Sequence, residues 1–223
     1  MPGRSTKQPS ESVVEKIIRR IKLNILNGGY AAGQRLIEAD VQRMTGASRG
    51  PVREAMKRLA AEGLLEIFHQ KGARVRHLTR EEIENLYDVR ELMEGLAARK
   101  AAAYARDPQF RKQLSEVERS FSENYDGSPT SYMKYNERFH HLIVGRSGNS
   151  QLVMLVGSLQ IPVVMLRLYT IIDRKFVEAA HHQHLDIVKA LLSGDGGKAE
   201  RAMRRHIRSS KASVLERAKL LEA

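Results

Sequence analysis

The sequence predicts a mainly α protein, an N-terminal winged helix-turn-helix followed by an all-α bundle of six antiparallel helices. Three observations carry this. Two short apolar helical stripes flank Gly46-Ala47-Ser48, the layout of a helix-turn-helix. After Gly63 the pattern changes to strand residues on either side of a polar tip, His69-Gln70-Lys71-Gly72. Beyond Thr79 no strand signal returns, and helical stripes alternate with Pro, Gly, Asp and Asn breaks.

Residues 1–10 include Gly3, two Ser, two Pro and two basic residues and are expected to form a disordered arm. The reader domain is expected over 11–76. Ser12-Val13-Val14-Glu15 reads as a capping box, and Val14, Ile17, Ile18, Ile21 and Ile25 form the apolar face of the helix it opens. Gly28-Gly29 ends that helix. Val41 and Met44 belong to a short second helix, which Gly46 can close in the left-handed conformation. Ser48 is a suitable N-cap for the third, and Pro51 is tolerated in its first turn. Val52, Ala55, Met56, Leu59 and Ala60 then repeat as a core-facing stripe. Ser48, Arg49, Gly50 and Arg53 are left at the exposed N-terminal end, where recognition helices meet base edges. Leu64–Phe68 and Ala73–Arg76 flank the polar tip as a hairpin wing.

The run Gly33-Gln34-Arg35-Leu36, then Ser48-Arg49-Gly50-Pro51-Val52-Arg53-Glu54-Ala55, then Glu62-Gly63-Leu64 and Lys71-Gly72 closely resembles the DNA-binding domain of GntR-family bacterial transcription regulators. The usual family run has Thr where this chain has Gly50, which removes a hydroxyl that could reach a phosphate and a methyl that could touch thymine. The expected DNA-binding set is Arg35, Ser48, Arg49, Gly50, Pro51 and Arg53, with His69, Gln70, Lys71 and Gly72 of the wing.

Charge agrees with that assignment. The formal net charge is +12, and residues 1–76 hold 15 Lys/Arg against 7 Asp/Glu, a balance of +8. The excess sits on the expected DNA reader, where phosphate binding needs it. The 223 residues suffice for two modest cores. With no Cys, disulfides and thiolate metal sites are excluded, which is compatible with a reducing cytoplasm. No apolar run approaches the roughly 18 residues of a membrane span, and residues 1–10 are unlike a signal peptide. A cytoplasmic protein with no membrane partner is expected.

Thr79-Arg80-Glu81-Glu82 is a second capping box, opening a long helix to about residue 103. Helical patterns follow at about 108–124, 129–147, 150–171, 174–193 and 197–221, with breaks at Asp107-Pro108, Asp126-Gly127-Ser128-Pro129, Gly148-Asn149 and Gly194–Gly197. Residues 79–223 thus form the bundle. It resembles the FCD-type effector domain of the FadR branch of the GntR family, through Arg90–Glu94, Asn136–His140, Gly148-Asn149, Gln183–Ile187 and Met203–His206.

Three histidines lie on apolar stripes of different helices: His140 with Tyr132, Asn136, Phe139 and Ile143; His184 with Val177, Ala180, His181, Ile187 and Leu191; His206 with Ala199, Ala202 and Met203. A single such histidine reads as a core residue with a satisfied ring. Three neutral imidazoles converging in a bundle core suit Zn, Ni or another borderline divalent ion. The FCD resemblance implies that Asn136, His140, His184 and His206 are the metal set, with Asn136 where the family has Asp. Arg90 shares a stripe with Ile83, Leu86, Tyr87 and Met93, with Glu94 one turn on. Two readings stand for it: an internal Arg90–Glu94 pair, or a carboxylate clamp beside the histidines, together with His181. His141 and His182 fall off the stripes and are expected at the surface.

The expectation for the whole chain is a ligand-responsive transcription regulator: a homodimer on a palindromic double-stranded DNA operator, controlled by a small anionic effector in the bundle. One rival is a metal-dependent enzyme fused to a DNA-binding module, against which the matched stripes offer no obvious general base. Another is a ligand-independent DNA binder whose histidines are only core.

Overall fold

A computed structural model describes residues 11–26, 29–68, 72–169 and 174–221. The expected arm at 1–10 and the wing tip His69-Gln70-Lys71 lie outside the described residues. Two compact units result, Met1–His77 and Leu78–Ala223.

The first unit runs α1 (Val13–Leu26), β1 (Arg35–Leu36), α2 (Glu38–Thr45), α3 (Arg49–Ala61), β2 (Leu65–Phe68) and β3 (Gly72–Val75). Ile17, Ile18, Ile21 and Ile25 of α1 are buried, as are Val41, Val52, Ala55, Met56 and Leu59, while Val14 is only half-buried. Each fully buried aliphatic side chain of this kind contributes about 1.5–3 kcal/mol. Half of the first capping box forms: Ser12 Oγ accepts the Glu15 N–H at 3.2 Å, but the Glu15 carboxylate pairs with Arg58. Gly46 closes α2 at φ +70°.

Two expectations need correction. Ser48 holds the N-cap position of α3 with extended backbone, yet its hydroxyl makes no capping bond. Pro51 sits three residues on and has no N–H, so it removes one of the two donors a capping hydroxyl uses. The wing is also more than a hairpin. β1 pairs antiparallel with β3, giving a three-stranded sheet of order β1-β3-β2. Gly72 permits this contact: its φ is +85°, and a Cβ there would stand 2.7 Å from the Leu36 carbonyl oxygen.

The second unit runs α4 (Arg80–Ala101), a 3-10 turn (Ala102–Tyr104), α5 (Pro108–Asn124), α6 (Pro129–Arg146), α7 (Ser150–Tyr169), α8 (Arg174–Leu192) and α9 (Gly196–Leu221). The expected breaks act through caps. Thr79 and Glu82 form both bonds of their box, at 3.2 and 2.8 Å. Asp107 and Ser128 accept the N–H of Phe110 and Ser131, each with a proline at the start of its helix. Asn149 accepts from Gln151 and Leu152 after Gly148, at φ +67°. α4 packs on α6, α7, α8 and α9. Gly95 lets α9 close on it, since a Cβ there would meet Arg204 Cγ at 2.7 Å. Phe110, Leu114, Tyr132, Phe139, Ile143, Ile187, Leu191 and Met203 fill the core. Among the described residues, no helix is long and apolar enough to cross a membrane.

Candidate functional site

In the first unit a groove of about 900 Å³ lies between α2, α3 and the sheet, lined among others by Arg35, Glu38, Arg49, Arg53, Lys57, Phe68 and Gly72. Four residues expected to touch DNA therefore share one concavity. Ser48 and Gly50 are exposed at the same end of α3, and Pro51 is half-buried. A Cβ on Gly50 would meet nothing within 4 Å, so no packing demand calls for glycine there. Glu38, in the first turn of α2, accepts from Arg53 Nε at 2.7 Å and Arg49 Nε at 3.1 Å. The Arg53 hydrogen bond, opposed by partial desolvation and reinforced by Arg49, holds its carboxyl below the usual carboxylate range.

Among the described residues of the second unit, the buried polar and charged side chains are Arg90, Glu94, Asn136, His140, Ser147, His184 and His206. Arg90, Glu94 and the three histidines are linked to one another, and Asn136 lies one turn before His140. His140, His184 and His206 offer ligand atoms within 4.8 Å of one another, from α6, α8 and α9. His184 Nε2 and His206 Nε2 are 3.2 Å apart. The Nδ1 atoms point to other partners: Glu94 Oε2 at 2.5 Å from His140, Tyr135 Oη at 3.1 Å from His184, and Gln183 Oε1 at 2.9 Å from His206.

Such an arrangement could hold a metal. An acceptor on Nδ1 fixes the tautomer that turns the Nε2 lone pair inward and makes it more basic. Two donors about 2.0–2.1 Å from one tetrahedral zinc stand roughly 3.3 Å apart, close to the His184–His206 distance. Asn136 is buried one turn before His140, and its Oδ1 accepts from Tyr132 Oη at 3.2 Å.

Arg90 bonds Glu94 Oε1 through Nε at 2.8 Å, its guanidinium 5.0 Å over the Tyr87 ring. Burial opposes the Glu94 charge, but Arg90 and then His140 outweigh it and keep the carboxyl well below the usual range. The internal pair is thus present, and it extends onto the histidines. His181 is half-buried and lies outside the three-histidine cluster, stacked on Phe121 at 3.9 Å with Nδ1 3.2 Å from Tyr135 Oη, the hydroxyl that also meets His184. Burial, then His182, lowers its pKa. His141 and His182 are exposed, as expected.

Three contributors were not foreseen. Glu94, which the sequence pairs with Arg90, lies one turn along the same stripe and also reaches His140. Tyr135 is a hub, its hydroxyl touching Glu118, His181 and His184. Nothing in the local pattern around Tyr135 or Gln183 announces these contacts, which arise only when α5, α6, α8 and α9 pack.

Residues 13–75 match the bacterial regulatory proteins of the gntR family, and residues 85–209, over half the chain, match the FCD domain. The probable D-xylose utilization operon transcriptional repressor of Paenarthrobacter nicotinovorans is 29% identical, over 93% of this chain and 91% of that protein. The HTH-type transcriptional repressor RspR of Escherichia coli K12 is 28% identical, over 92% and 90%. The solved E. coli McbR/YncC has the same fold, with a TM-score of 0.78 at 20% identity, over 92% of this chain and 98% of that one. The chain belongs to the GntR family, its reader joined to an FCD domain, and is a DNA-binding transcription regulator rather than an enzyme.

Proposed function

We propose that this regulator binds a palindromic operator in the cytoplasm as a homodimer, and that a small carboxylate effector acting at a metal-bearing bundle controls that binding. The observation that carries the proposal is the convergence of three buried imidazoles whose Nδ1 atoms are all engaged. His140, His184 and His206, with the Asn136 carbonyl oxygen, would hold a divalent ion such as Zn or Ni. Bound there, the ion would supply an electrophilic landing point for a carboxylate.

The protein groups around it carry little net charge, because Arg90 and Glu94 cancel and the other donors are neutral. An incoming carboxylate is therefore the group that balances the ion, and Arg90 and His181 are the further effector contacts proposed for it. Control of DNA binding requires the effector to favour one arrangement of the two readers over another. A row of exposed apolar residues on α4, Val89, Leu92 and Leu96, with Val153, Met154 and Leu155 on α7, supports a second copy as the partner. In the reader, Arg35, Ser48, Arg49, Gly50, Pro51 and Arg53 would meet the duplex, with His69, Gln70, Lys71 and Gly72 gripping it from the wing. Repression is the mode named for both relatives above, and it is the mode proposed here.

A rival reading has one observation of its own: the His184–His206 contact also suits two neutral rings satisfying each other in a core. A thermal-shift screen of carboxylates with zinc-loaded protein, followed by operator binding with each hit, separates the two. The proposal expects at least one hit that changes operator affinity severalfold. Hits that leave operator affinity unchanged, or no hit at all, would favour a core without a switch.

A further inference from the structure

We infer that Glu38 is the positioning residue for sequence reading: a recessed carboxylate on α2 that aims Arg49 and Arg53 of α3 together into the groove. The inference rests on the assignment of those arginines as base readers. Arg49 and Arg53 stand one helical turn apart, where two like charges repel. Glu38 lies between them, one oxygen to each Nε, at 3.1 and 2.7 Å. Its side chain is 25% exposed, whereas those of Arg49 and Arg53 are 68% and 56% exposed, so the carboxylate sits behind the groups that would face DNA.

The choice of atoms matters. A guanidinium held by its Nε–H keeps its terminal amino groups as the donors for a guanine O6/N7 edge. Each long side chain is thereby fixed at its neck while its head stays presented. The helix-turn-helix supplies the geometry, because Leu36 and Ile37 lead directly into the first turn of α2. Exposed ion pairs of this kind add little to fold stability, so the contact is better explained by what it orients. It also places a negative charge in a basic groove. Removing that charge should help non-specific phosphate binding while harming base reading.

The test uses the full chain, a palindromic site selected from randomised duplexes by the parent protein, and poly(dI-dC) as the non-specific duplex. Glu38→Gln should lower the ratio of specific to non-specific affinity about tenfold. Its binding to poly(dI-dC) should be unchanged or tighter, with the thermal midpoint unmoved. Glu38→Asp, which keeps the charge but shortens the reach, should fall between. Arg49→Ala is run beside them. If Arg49→Ala loses specificity while Glu38→Gln keeps it, this inference is overturned and the reader assignment stands. If both keep it, the reader assignment falls and the inference with it. A drop in thermal midpoint that accounts for the lost binding makes Glu38 a stability residue and also overturns the inference.

Discussion

Arg90 and Glu94 offset each other's charge beside His140, and that local cancellation decides what Asn136 can do. An asparagine in that place offers an oxygen without charge, so a divalent ion would be left to a carboxylate from solution. Asn136→Asp adds the missing negative group one turn before His140. Zinc affinity is then expected to rise about tenfold or more, since a carboxylate is a strong zinc donor. By linkage, metal and carboxylate must strengthen each other by one common factor, and that factor should shrink in Asn136→Asp. Calorimetric titration of zinc into both proteins, with and without a carboxylate from the screen, measures it. An undiminished factor in Asn136→Asp would mean that the effector does not supply the charge at this position.

At the scale of elements, much was legible because caps and breakers are local. The Thr79–Glu82 box, Asp107-Pro108, Ser128-Pro129 and Gly148-Asn149 each work through bonds spanning two or three residues. What was missed depends on tertiary contact. β1 is two residues long, too short to show an alternating pattern, and exists because β3 offers an edge beside it. Tyr135 gains its role from α5 and α8, and Ser48, with Pro51 in place of one of its two donors, makes no capping bond. The exposed row on α4 yields the prediction that belongs here. Leu92 is 60% exposed in the single chain, and it sits between Val89 and Leu96 on the same face. Placing a charge there should cost the isolated unit little, since substitutions at exposed sites usually change stability by under about 0.5 kcal/mol. Leu92→Asp is nonetheless expected to shift the proposed dimer to monomer in sedimentation, because a lone carboxylate cannot be desolvated cheaply in an apolar interface. A variant that sediments like the parent would remove this face from the dimer.

Across the whole molecule, charge and burial divide the labour. Basic excess gathers on the reader, with a groove that collects Arg35, Arg49 and Arg53. The bundle instead buries its polar groups around three imidazoles. The FCD match covers that bundle, and the gntR match covers the reader. Family membership accounts for both halves, while the metal binding proposed for the bundle centre rests on His140, His184 and His206. Titration of zinc into chelator-treated parent protein and His184→Ala in parallel tests that binding. One ion per chain is expected for the parent and an affinity lower by at least about tenfold for His184→Ala, with folding retained by circular dichroism. Equal zinc binding by the two proteins would contradict it, and would leave the histidines as core residues.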